Sequence, residues 1–210
     1  MKSNQRLVLS SAVIGVALSI LGIGFSGMSF GSAETSTTSE SGGMLGHIIL
    51  TVYDPNGNVK TYLQTDNLVI DQGEACAVKR VFLETASGSA DCGGSTTGEF
   101  NVIALGTGSA AAGNNDVSLQ TETVAAGLAR AAASSVTITD DSSGTAGAIA
   151  TLTKAFTNTS GGSVSIAESA ITNSTTAAGD GMFARQTFTA IPVANSDTLT
   201  VTWNITFDGA

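Results

Sequence analysis

From Thr198 to Phe207 the chain alternates without interruption. Leu199, Val201, Trp203, Ile205 and Phe207 fall at one parity, and Thr198, Thr200, Thr202, Asn204 and Thr206 at the other. Successive side chains of a strand point to opposite sides, so the segment predicts a strand with one core face and one face of threonine hydroxyls. Apolar or alternating runs recur upstream as FNVIAL (100–105), VTIT (136–139), ATLTKAFT (150–157), SVSIAESAI (163–171) and MFARQTFTAI (182–191), divided by Gly, Ser, Asn and Asp. Short strands separated by turn residues are the pattern of a sandwich or barrel. Nearer the N-terminus, HIILTVYDPNGNVKTYLQTDNLVI has two apolar-rich stretches around Pro55 and Gly57, which predicts a β-hairpin closed at DPNGN. The next stretch changes period: Asp71 with Glu74 three positions on reads as a capping box, and Ala75, Val78 and Phe82 share a helical face, with Cys76 in the first turn. The expected fold is mainly β, a single β-sandwich or barrel-like domain with one helix.

The N-terminus departs from this pattern. Lys2 and Arg6 precede an uncharged run from Leu7 to Phe30, which is followed by the small residues Gly31, Ser32 and Ala33. A positive flank, an apolar core and a small-residue cleavage position describe a signal peptide, while the length of the run also allows a retained signal anchor. In both cases the bulk of the chain is exported and meets a membrane only through this segment. Residues Glu34 to Gly43, ETSTTSESGG, offer no apolar side chain to bury. The expected organisation is a signal peptide or anchor over 1–33, a flexible Ser/Thr/Gly tether over 34–46 and a β-rich domain over 47–210.

Composition narrows the function classes. Charged residues make up 12% of the 210-residue chain, against about 25% in ordinary soluble domains; Thr, Ser, Ala and Gly take their place. A surface that is hydroxylated rather than charged suits an extracellular or cell-surface β protein and argues against a cytosolic helical enzyme. The net charge of −9 disfavours nucleic acid, whose binding depends on Lys and Arg displacing counterions. Cleavage after Ala33 removes Lys2 and Arg6 and no acid, so the exported part is more acidic still. The two cysteines, Cys76 and Cys92, are expected to pair in an oxidising compartment, where closing a loop of that size stabilises by about 3 kcal/mol in the chain-entropy model. Together with one distant His47 they do not supply a zinc site.

The candidate chemistry is sparse. In IALGTGSAAAGNND (103–116), Gly108 and Gly113 are spaced as in a phosphate-binding loop, but Asn114 and Asn115 stand where its lysine and hydroxyl belong. The segment reads as an inter-strand turn. Asp54, Asn56 and Asn58 imitate the first half of a calcium loop without its bidentate Glu. His47 adjoins the tether with no second base or orienting carboxylate to name, no serine stands in G-x-S-x-G, and Asp140 with Asp141 reads as a solvated turn. Arg185, a lone cation in an apolar strand, is expected to pair with an acid such as Glu168 or Glu122. No catalytic residue, cofactor or metal is assigned. Three sequons begin at Asn158, Asn173 and Asn204, possible glycosylation sites of an exported chain, with Asn204 on the polar face of its strand.

The order TVYDPNGNV, DNLVIDQGEA, IALGTGSAAAGNNDVSLQTE, Arg130, then IAESAITNSTTAAGDGMFARQTFTAIPVANSDTLTVTWNITF resembles a broad family of small β-rich proteins encoded among phage tail genes, and secreted archaeal surface proteins of the same layout. The resemblance runs from about His47 to Phe207 and is most specific at ALGTG with the L-x-x-E of Leu119 to Glu122, at MFARQTF and at LTVTWNITF. It implies that the LGTG loop is an inter-strand turn and that the role is structural or one of attachment, with no catalytic residues to carry over. The signal peptide departs from the phage pattern. The resulting expectation is an exported cell-surface structural protein without catalysis, an assembling subunit of a filament, envelope or tail-like structure whose partners are further copies or other surface proteins. A surface adhesin or glycan-binding module is the alternative. For assembly, the apolar stretch Met44 to Val52 on its tether could add to a neighbour's sheet edge, although the DPNGN hairpin favours pairing within the chain.

Overall fold

The computed structural model describes residues 43–82, 99–139, 147–177 and 181–208. Residues 40–210 form one compact unit. The expected signal peptide or anchor, Cys92, and Asp140 with Asp141 lie outside the described residues. The described chain is mainly β, with strands β1 (Gly43–Tyr53), β2 (Val59–Val69), β3 (Val102–Gly106), β4 (Ala131–Ala132), β5 (Ser135–Thr139), β6 (Ala148–Thr157), β7 (Val164–Thr172), β8 (Met182–Val193) and β9 (Thr198–Asp208), and with helix α1 (Asp71–Phe82).

The strands form a single antiparallel sheet in the order β4-β3-β7-β8-β2-β1-β9-β6-β5. Strand β2 carries it round a corner: its residues up to Asn67 pair with β1, and Leu68 and Val69 pair with Arg185 and Ala184 of β8. The sheet thereby curls into a half-barrel and brings its two halves face to face across the core. The alternation of the last strand is realised from Leu199 to Ile205, whereas Phe207 at its end is 43% exposed rather than buried. Leu199, Val201 and Trp203 are fully buried with Ile48, Leu50 and Val52 of β1 beside them, and they meet Ile166 and Ile171 of β7, Ile191 of β8 and Leu105 of β3. Each such side chain contributes about 1.5–3 kcal/mol of burial. The indole of Trp203 needs an acceptor in this setting, and its Nε1 donates to Ser169 Oγ at 3.2 Å, which in turn donates to the Ala104 carbonyl at 3.0 Å. On the outward face Thr151 donates to Asn204 Oδ1 at 2.8 Å, and hydroxyl pairs join Thr153 to Thr202 and Thr157 to Thr198.

Three expectations are corrected. The strand starts earlier than the tether boundary allowed: Gly43 to Gly46 belong to β1, because the register against β9 continues through Met44↔Phe207 to Gly43↔Asp208. That pairing also places β1 between β2 and β9 from Gly46 onward, so Gly46 to Val52 is hydrogen-bonded on both sides within the chain, while Met44 and Leu45 pair with β9 alone. The helix buries a different side from the one its periodicity suggested. Ala75 and Val78 are exposed, whereas Gly73 and Cys76 are buried. The cause is a close backbone approach: a Cβ on Gly73 would collide with the Phe183 carbonyl of β8, so the helix docks at its smallest residue.

Candidate functional site

Strand β7 is buried on both faces from Ile166 to Thr172. Ser169 and Ile171 point into the half-barrel, and Glu168 and Ala170 point outward, beneath the loop that follows β3. The register against β8 slips just before Glu168, from Ile166↔Ile191 to Glu168↔Thr187, a bulge of the kind that re-aims side chains. Glu168 is fully buried. Its Oε1 accepts the backbone amides of Gly108 (3.0 Å) and Thr121 (2.7 Å), and its Oε2 accepts the amide of Gln120 (2.9 Å) together with Nε (3.1 Å) and Nη2 (2.8 Å) of Arg185. The glycine-rich loop gives one amide, that of Gly108, to an anion that it shares with the amides of Gln120 and Thr121, and the anion is the chain's own carboxylate. Close approach requires the glycines: a Cβ on Gly106 or on Gly108 would stand 2.5 Å from Glu168 Oε1.

Arg185 completes the arrangement. Nη1 donates to Asp116 Oδ2 at 2.6 Å and to the Ala111 carbonyl at 3.4 Å, and Nη2 donates to the Ala110 carbonyl at 3.0 Å, so all five guanidinium hydrogens face oxygens. The pairing with Glu168 is the first of the two acids the sequence suggested. Burial pushes the Glu168 carboxyl up, but the Thr121 and Gln120 amides and the Arg185 charge outweigh it and hold the group below the usual carboxylate range. Asp116 is lowered in the same manner, burial being overcome by the Gly113 amide and Arg185. Beside this cluster lies an open cleft of about 360 Å³ bordered by Ala110, Asn115, Asp116, Gln120 and Arg185. The Gly108 amide and the Arg185 guanidinium, the donors a phosphate would draw on here, are already engaged by Glu168, Asp116 and two carbonyls. Glu122, the other candidate, pairs instead with Arg130, Nε to Oε1 at 2.6 Å and Nη2 to Oε2, and Arg130 Nη1 reaches on to the Ser174 carbonyl at 3.2 Å.

The sequons separate. Asn158 is fully buried; its Nδ2 spends both hydrogens on the Gly162 and Val193 carbonyls at 2.7 Å, and its Oδ1 accepts from Ser160. It ties the β6–β7 turn to the β8–β9 turn, and a glycan there is incompatible with this fold. Asn173 is 5% exposed, with Oδ1 on the Gly181 amide at 2.7 Å, and is enclosed likewise. Asn204 lies half-buried on the outward face, as its parity indicated, and remains the accessible acceptor.

The other sequence candidates fall apart in space or turn inward. His47 contacts Asp66 at 3.1 Å on the outward face of β1 and β2. Asp54 folds back on its own turn, Oδ1 accepting the Asn56 and Asn58 amides at 2.8 Å and Oδ2 the Asn58 side chain; the Asn58 side-chain bond leads in lowering its carboxyl. Among the described residues no group of three or more His, Cys, Asp or Glu side chains gathers as a metal site. Cys76 is 2% exposed in the first turns of α1, and its expected partner Cys92 lies outside the described residues. The cradle role of Glu168 went unread in the sequence. The signal available was an acid within SIAESAI, a run apolar enough on both parities to be buried on two faces. No family model, curated protein or solved structure matches the chain.

Proposed function

We propose that this is an exported cell-surface structural protein, a subunit that assembles into a filament, an envelope layer or a tail-like structure. The observation that carries the reading is the outward face of β5, β6 and β9. Over the stretch where β9 pairs with β6, Thr198 to Thr206, every outward position of β5, β6 and β9 apart from Ile149, Ala155 and Asn204 is Thr or Ser, and none is charged. In a chain of net charge −9, an uncharged and mutually hydrogen-bonded face is where identical copies approach without repulsion. The sequence resemblance to small tail-encoded and archaeal surface proteins points the same way, as does the exported N-terminus read from Lys2 to Ala33. The buried Glu168 and Arg185 then serve to hold the long loop rigid on the sheet.

Negative-stain microscopy of native secreted and membrane-associated material tests this. Fibres or lattices containing the chain support it, and dispersed single particles overturn it in favour of the adhesin or glycan-binding alternative. Mass spectrometry of the same material reads the export step: an N-terminus at or next to Glu34 marks cleavage, and intact Met1 in the membrane fraction marks the anchor.

A further inference from the structure

Among the described residues, strand β5 ends the sheet order and pairs only with β6, so no described strand lies beside the other side of its backbone. All five residues, Ser135 to Thr139, are exposed. They include no charge, no proline and no lysine, the usual means by which natural edges prevent further pairing. Val136 and Ile138 are 49% and 68% exposed, although their register opposite Leu152 and Ala150 sets them on the core side of the sheet. An uncovered edge with apolar side chains on its inner side is half of a strand pair.

The sequence S-V-T-I-T reads nearly the same in both directions. Antiparallel pairing with itself about Thr137 sets Val136 against Ile138 of a second copy, Ile138 against Val136, and Ser135 against Thr139. Apolar residues then meet on the inner side and hydroxyls on the outer. We infer that β5 is a two-fold docking edge at which a second copy of this chain adds its own β5, extending the sheet and its hydroxyl face across the junction. This deepens the assembly reading and rests on it. Charge favours the same occupant, since the edge is neutral in an acidic chain. Five residues a side fall well short of the roughly 20–30 of a standard interface, so the edge makes a weak contact that shows at high local concentration. A two-fold contact closes a dimer, and a polymer uses a further surface.

The test uses the exported chain from Glu34 in sedimentation velocity over a wide concentration range. Ile138→Lys places a charge in the apolar pair at an exposed position that the fold does not need, and is expected to weaken association by about tenfold or more. Thr137→Cys stands across the two-fold axis from itself and should cross-link copies on mild oxidation, read by mass spectrometry of the linked peptide, whereas Thr202→Cys in mid-sheet should not. Undiminished association of Ile138→Lys, or linkage through Thr202→Cys in place of Thr137→Cys, overturns the edge proposal and leaves assembly through another surface. A wild-type chain that stays monomeric up to its solubility limit overturns the edge, and lattices or fibres in the native material would still uphold the assembly reading.

Discussion

Replacing Glu168 by methionine removes the acceptor for three backbone amides and two guanidinium hydrogens at once. Arg185, 2% exposed, is left with Asp116 and two carbonyls. Breaking a buried pair from one side costs about 3–5 kcal/mol, a large part of the roughly 5–15 kcal/mol that holds a domain folded. The double change Glu168→Met with Arg185→Met separates two explanations. If the carboxylate serves only the ion pair, an apolar pair of similar volume restores most of the loss. If it serves the loop, the Gly108 amide, the buried one of the three bonds, stays without an acceptor and about 1–3 kcal/mol remains lost. Urea unfolding followed by Trp203 fluorescence measures both, because the lone tryptophan is fully buried. A double variant within about 0.5 kcal/mol of wild type, a difference small against one unmade bond, would refute the cradle argument. The pH dependence has a definite sign. The folded-state value of Glu168 lies below the ordinary 4.5, so its contribution is complete above that value and is lost as pH falls through the depressed one. Wild type should therefore lose stability in acid below about pH 4.5 more steeply than Glu168→Met.

Gly108→Ala should lower stability by about 1–3 kcal/mol, since the new methyl meets Glu168 Oε1 and Gln120 Cβ; a melting temperature equal to wild type would show that the loop stands further from β7. Glycopeptide mapping of native protein should find any N-linked sugar at Asn204 and none at Asn158 or Asn173; a sugar on Asn158 in folded material would contradict the hydrogen bonding of that turn. Non-reducing peptide mapping should link Cys76 to Cys92, and Cys92→Ser should cost up to about 3 kcal/mol, with free thiols at both positions in exported protein as the opposing result.

Strand content was legible wherever one face met water. In β9 the alternation of Leu199, Val201, Trp203 and Ile205 with threonines leaves no other reading, and the DPNGN hairpin is equally local. Legibility failed where a backbone rather than a side chain made the contact. Nothing in the apolar spacing of Ala75, Val78 and Phe82 reports that Gly73 lies against the Phe183 carbonyl, because a glycine adds nothing to a hydrophobic pattern while permitting the closest packing of all. The sequons failed for a related reason. Asn158 and Asn204 share one tripeptide grammar, and only the meeting of two turns distant in sequence decides that the first is buried.

The loop from Gly106 to Asn114 shows how much of a phosphate-binding pattern comes from geometry alone. Its glycines let the backbone approach closely enough for the Gly108 amide to join those of Gln120 and Thr121 at one point, and converging amides require negative charge there. The requirement is indifferent to the source of the charge. A free phosphate brings two or more charges from solvent and calls for a lysine to balance them. A carboxylate fixed on the strand below brings one and is balanced by one arginine, and here the arginine is supplied by the next strand, at Leu68↔Arg185 and Ala170↔Arg185 in the sheet register. A glycine-rich loop without a following lysine therefore directs the search inward, to an acid on a doubly buried strand and a cation on its neighbour. In this chain Glu168 in SIAESAI and Arg185 in MFARQTF meet both conditions, and the two segments are paired strands.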